Sequence, residues 1–134
     1  MKILIIDAQG GGIGKQVVSA LKNRFPENEI TAVGTNSAAT TAMLRAGADH
    51  GATGENAVIV GCRQADVIIG PIGIVVADAL YGEITPAMSL AVGQSRAKRI
   101  LIPVNHCNNV IVGVTDSSIG RMIEGVLEEL AHSL

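Results

Sequence analysis

Two short segments hold residues whose types and spacing could do chemistry. The first is Ala8-Gln9-Gly10-Gly11-Gly12-Ile13-Gly14-Lys15, with four glycines in five positions. A turn stripped of Cβ atoms and feeding a helix lets an anionic phosphate approach free backbone N–H groups and the positive end of the helix dipole. The second is Asn105-His106-Cys107-Asn108. Its imidazole can act as acid or base, and its thiol as nucleophile or soft metal ligand, so His106 and Cys107 are the catalytic candidates. Adjacent residues of an extended chain point to opposite sides, and a lone His-Cys pair lacks ligand spacing; no metal is expected. The polarity of a loop between strands accounts for the same four residues without chemistry.

The elements that must position these segments alternate along the chain. Lys2 to Asp7 is a short β-branched apolar run and predicts a buried strand. Ile13, Val17, Val18 and Leu21 recur at helical spacing, so a helix is expected from about Gly12 to Phe25, stopped before Pro26. Glu29 to Gly34 reads as a second strand, and Asn36 or Ser37 caps a helix ended by Gly47. Ala48 to Ala52 is a short third strand, and Thr53 caps a helix through Val58, Ile59, Cys62 and Ala65. Asp66 to Gly70 is the fourth strand. Thr85 and Pro86 start a helix reaching Lys98, and Arg99 to Val104 is the fifth strand. Only Asn105 to Asn108 separate it from the apolar run 109–114, too few for a parallel crossover, so a sixth strand antiparallel to the fifth is expected. Ile119, Met122, Ile123, Val126, Leu127 and Leu130 mark a last helix from Ser117, capped by Thr115 and Asp116.

Alternating strands and helices predict one α/β domain over residues 1–134, a doubly wound, mostly parallel sheet of about six strands with an antiparallel edge strand. Ligands of such sheets bind beyond the carboxyl ends of the strands, where the strand order reverses. That rule selects four loops: Ala8 to Lys15, Gly34 to Ser37, Gly70-Pro71-Ile72-Gly73, and Asn105 to Cys107. The pair of glycines bracketing Pro71 suits either a close backbone approach to a ligand or a tight bend. At the end of the second strand an NAD site usually carries an acid for the ribose 2′-hydroxyl. Here Thr35, Asn36 and Ser37 are neutral, which leaves room for a 2′-phosphate and favours NADP over NAD. The same residues also serve as helix caps.

Composition bounds the alternatives. A net charge of −2 over 134 residues, with no basic stripe, argues against a nucleic-acid surface. Arg96, Lys98 and Arg99 are placed to sit at a helix C-terminus. Cys62 and Cys107 lie far apart without short-range partners, which fits a reducing, cytoplasmic setting better than a disulfide framework. Asp7 follows too few apolar residues for a secretory segment or a membrane span. The chain is 48% hydrophobic with one Tyr, one Phe and no Trp, so its core must be built from aliphatic residues. That apolar fraction also predicts a homo-oligomer, with Ile72 to Leu80 as the candidate interface.

The glycine segment resembles the cofactor loop of short-chain dehydrogenases, with Ala8, Gly12, Ile13 and Gly14 at the motif positions and alanine in place of the first glycine. The Tyr-x-x-x-Lys pair of those enzymes has no match, since Tyr81 is followed by Thr85 four residues on. Gly11-Gly12-Ile13-Gly14-Lys15 is also similar to a glycine-rich Walker A loop, but Gln9 and Gln16 replace its leading glycine and its Mg²⁺-ligating hydroxyl residue. Over nearly its whole length the chain resembles a family of short bacterial Rossmann-like proteins that share Gln9 to Lys15, Gly34-Thr35-Asn36, Ala65 to Gly73 and Gly82-Glu83-Ile84-Thr85-Pro86. The resemblance implies a nucleotide-binding fold and supplies no activity. The expected function is therefore binding of an NAD(P)-type dinucleotide, its pyrophosphate over Gly10 to Gly14. A non-enzymatic nucleotide sensor or subunit and a P-loop-like NTPase are the alternatives.

Overall fold

The computed structural model describes residues 1–104 and 108–134. At its centre lies β1 (Lys2–Asp7), flanked by β2 (Glu29–Gly34) on one side and β4 (Val67–Pro71) on the other. β3 (His50–Thr53) lies beyond β2 and β5 (Lys98–Ile102) beyond β4, giving five parallel strands in the order β3-β2-β1-β4-β5. This is the order of the first five strands of a Rossmann-type sheet, and it reverses between β1 and β4.

β1 is apolar on both faces because both are covered. Ile3 and Ile5 pack with Val17, Val18 and Leu21 of α1 (Gly12–Arg24), Ala39 and Met43 of α2 (Ser37–Arg45), and Val126, Leu127 and Leu130 of α5 (Ile119–Ala131). Leu4 and Ile6 face the other way, toward Val58 and Cys62 of α3 (Glu55–Gln64) and Met88 and Val92 of α4 (Pro86–Gln94). Each fully buried Ile or Leu side chain contributes about 1.5–3 kcal/mol, so the alternation along β1 fixes which helices go above and which below.

Several expected boundaries shift for identifiable reasons. The α3 cap is Gly54, at φ 100°, while the Thr53 hydroxyl pairs with Thr40 Oγ1 at 2.8 Å. α4 stops at Gln94 rather than Lys98, because Arg99 Nη1 donates to Ser95 O at 2.8 Å and Val92 O at 3.4 Å and so closes the helix end. Ser118, rather than Thr115 or Asp116, caps α5, its Oγ accepting from the Arg121 N–H, and the helix starts at Ile119 rather than Ser117.

The sheet has five strands, not six, and no antiparallel edge strand is found among the described residues. In the segment 109–114, expected to pair with β5, Val110 and Val112 are 90% and 95% exposed. Asn108 at φ 62° and Gly113 at φ 87° bend the run, and the Val114 N–H closes a turn onto Ile111 O at 3.1 Å. An extended ladder cannot pass through those angles. The stretch Ile72 to Leu80 is likewise not an outward apolar face. It forms a 3-10 turn (Ile72–Val75) and buries Ile74 and Ala79 in the chain's own core.

Two of the loop glycines are required by packing. A Cβ on Gly14 would lie 2.5 Å from Met43 Sδ and 2.9 Å from Asp7 Cβ, and one on Gly11 would lie 2.9 Å from the Ala39 backbone. Gly14→Ala should therefore destabilise the fold by about 1–3 kcal/mol despite a better helix residue. Gly12→Ala, with nothing within 4 Å of its added Cβ, should stay within about 0.5 kcal/mol of the parent. Urea unfolding of both variants checks this; equal midpoints would contradict the packing role of Gly14.

Candidate functional site

The site is built on the last residue of β1. Asp7 is buried, and its carboxylate is met by backbone: Oδ1 accepts from the Ala8 N–H at 2.8 Å and Oδ2 from the Gly14 N–H at 2.7 Å. Burial holds the Asp7 carboxyl above its ordinary 3.8, against the opposing pull of the Gly14, Ala8 and Ile13 N–H groups, and the charge of Glu83 adds to the rise. Between those two donors the chain turns tightly. Gln9 and Gly11 take left-handed angles of 53° and 73°, and the Gly11 N–H closes on Ala8 O at 3.0 Å.

The glycines thus divide by role. Gly11 and Gly14 let the loop approach α2 and β1, whereas Gly10 and Gly12 are exposed, with open space where a side chain would stand. The N–H groups of Gly10 and Gly12 make no hydrogen bond among the described residues. They border a crevice of about 180 Å³ at the strand-order reversal, lined by Asp7, Ala8, Gln9, Gly10, Gly12, Ile13, Pro71, Leu80 and Val104. α1 adds the positive end of its dipole at the same place.

A second carboxylate reaches the same end of the sheet from the segment after β4. Glu83 Oε1 accepts from Thr35 Oγ1 at 2.9 Å and Asn36 Nδ2 at 2.6 Å, and the Gln9 N–H donates to Oε2 at 3.0 Å and Oε1 at 3.2 Å. Asn36 also caps α2 through its Oδ1 and donates to Gln9 O at 2.9 Å. The segment that carries Glu83 is tightly wound. Asp78, Leu80, Tyr81 and Gly82 all have positive φ, and the Asp78 N–H donates to Ile84 O at 2.7 Å. Left-handed angles at three non-glycine residues cost about 1 kcal/mol or more each, and such strain concentrates at binding and switch regions.

Of the expected residues, Ala8, Gln9, Gly10, Gly12, Ile13 and Pro71 line the crevice, and Thr35 and Asn36 meet at Glu83 beside Gln9. Gly11 packs against Ala39 of α2. Gly14 is buried against Met43, and Lys15 leaves the crevice for the groove between α1 and α2, beside Gln16, Ser19 and Arg45. Ser37 is exposed in the first turn of α2 and takes no part in the Glu83 cluster. Gly70 serves the sheet, since a Cβ there would lie 2.5 Å from Ile6 O, and Gly73 packs on Leu80; Ile72 does not line the crevice. Asn105, His106 and Cys107 lie outside the described residues. The other thiol, Cys62, is buried and pushed up to about 11 by that burial, which keeps it protonated and inert.

The reading of residues 35–37 as a neutral cluster needs correction, because Glu83 supplies the missing carboxylate from 48 residues downstream of Thr35. Asp7 is a site residue outside the expected set. Its signal was present: an acid ending a buried strand directly before a glycine run must find N–H donors there.

Comparison with known proteins gives one family and a fold. A family model described as a domain of unknown function (DUF3842) matches residues 2–134. No curated protein matches the chain. Among solved structures, a dodecameric FMN-dependent UbiX-like decarboxylase from Escherichia coli O157:H7 is similar at 17% identity and a TM-score of 0.51, over 98% of this chain and 94% of that one. A nucleoside-diphosphate-sugar epimerase from Pseudomonas aeruginosa matches at 13% identity and a TM-score of 0.46, over 99% of this chain and 47% of that one. At 17% identity the likeness to the decarboxylase supports the Rossmann-like fold alone. No helix among the described residues is long and apolar enough to cross a membrane.

The Asp7 arrangement has a pH signature. A carboxyl raised in the folded state binds its proton more tightly there than in the unfolded chain, so its contribution to stability is full at low pH and declines as pH climbs above 3.8. Asp7→Asn lacks that decline. The stability of the parent minus that of Asp7→Asn should shrink as urea titrations move from about pH 3.5 to pH 7. A gap that widens with pH would mean the N–H bonds outweigh burial.

Proposed function

The chain belongs to the DUF3842 family, and on that premise we propose that it is a nucleotide-binding protein whose ligand is an NAD(P)-type dinucleotide. The observation that carries the reading is the pair of exposed glycines, Gly10 and Gly12, whose N–H groups have no hydrogen-bond partner among the described residues and which border the crevice at the strand-order reversal. A phosphate seated there meets two N–H donors and the N-terminus of α1, with no side chain in its way. At about 180 Å³ the crevice suits a pyrophosphate, and the two nucleoside ends would extend along the open carboxyl edge of the sheet.

The preference for NADP rested on a neutral cluster at Thr35, Asn36 and Ser37, and the Glu83 carboxylate bonded to Thr35 and Asn36 withdraws that ground. A P-loop-like NTPase is less well supported, since Lys15 lines the α1–α2 groove rather than the crevice. Assembly with further copies of the chain belongs to the same proposal, because Val110 and Val112 leave two aliphatic side chains almost wholly in water. Light scattering should return a mass above the 13.8 kDa of one chain; a monomer would remove this part.

Isothermal titration with NADH, NADPH and ATP tests the ligand class. A dinucleotide should bind, and Gly12→Val should abolish that binding while the melting midpoint stays within a few degrees, because the added side chain enters open space. Undiminished affinity in Gly12→Val would move the phosphate elsewhere. A folded protein that binds none of the three would end the proposal.

A further inference from the structure

We infer that Glu83 is a specificity-determining residue that receives the vicinal hydroxyls of an unmodified ribose and turns away a 2′-phosphate. The inference rests on the nucleotide reading above and deepens it. Three donors hold the carboxylate in place: Thr35 Oγ1 and Asn36 Nδ2 both bond Oε1, and the Gln9 N–H reaches Oε2 at 3.0 Å. Among the described residues Oε2 receives that one N–H alone, so an acceptor site remains on a group that is already oriented. An ionised carboxylate can only accept, and it therefore selects a ligand that brings O–H donors.

Charge points the same way. Glu83 forms no ion pair among the described residues, and its field is felt by the buried Asp7 carboxyl. A phosphate placed beside it would meet two acidic groups, and no cation among the described residues pairs with either. A ribose diol, being neutral, escapes that repulsion. Connectivity fits as well. The Gln9 N–H is engaged by Glu83 while the next residue, Gly10, offers its own N–H to the crevice, so neighbouring backbone groups serve neighbouring parts of a nucleotide. Thr35 and Asn36 act through Glu83 as positioning residues.

The test measures dissociation constants of NADH and NADPH for the parent, Glu83→Gln and Thr35→Val. The parent should bind NADH at least about tenfold tighter than NADPH, the scale of one charged hydrogen bond. Glu83→Gln should weaken NADH about tenfold and leave NADPH unchanged or tighter, bringing the two within about threefold. Thr35→Val, which keeps the charge and loosens its aim, should fall between. Equal affinities in the parent, or an unchanged ratio in Glu83→Gln, would overturn the inference and leave the nucleotide reading standing. The parent ratio decides the matter by itself if Glu83→Gln does not fold. Binding of neither ligand by the parent would overturn the nucleotide reading, and this inference with it.

Discussion

A buried carboxylate without a counter-cation must be met by N–H groups, and the geometry of the switch point follows from how Asp7 meets that demand. Leaving an ionised carboxylate unpaired at this depth would cost several kcal/mol. Ala8 and Gly14 supply the two donors, so the chain must fold back on itself within seven residues of leaving β1. That return requires the left-handed angle at Gly11 and the missing Cβ at Gly14. It also starts α1 directly over the end of the central strand. Once Asp7 has taken its N–H groups, those of Gly10 and Gly12 are left facing outward. The seat proposed for a phosphate is what remains after the carboxylate has been satisfied.

Most of the sheet was legible because its signal is local. The run from Ile3 to Ile6, covered on both faces, could be little other than a central parallel strand, and Asn36, Thr85 and Pro86 marked helix starts that the structure keeps. The run 109–114 misled for the opposite reason. Its apolar residues predicted a strand, but the left-handed angles at Asn108 and Gly113 belong to the path of the chain and leave no mark in hydrophobic periodicity. The glycine loop was legible as a place and not as a mechanism. Which glycines serve packing and which face open space depends on α2, whose Met43 and Ala39 crowd Gly14 and Gly11 from a distant part of the chain.

Glu83 is the clearest case of a residue that local reading cannot find. Nothing in its neighbourhood distinguishes it from a surface glutamate ahead of a helix cap. Its role arises because β4 lies next to β1, which returns the segment after β4 to the end of the sheet where β2 finishes. Three loops are thereby joined through one carboxylate: the glycine turn at Gln9, the end of β2 at Thr35 and Asn36, and the wound segment 78–84. Such cross-bracing fixes the mouth of the crevice before any ligand arrives, which lowers the ordering cost of binding.

The wound segment also makes the molecule its own optical probe. Tyr81 is the sole tyrosine, the chain has no tryptophan, and the ring stands 98% exposed two residues from Glu83. Near-ultraviolet emission from this protein therefore reports on one side chain at one address. Quenching and anisotropy of that ring follow the wound segment next to crevice-lining Leu80, without a label.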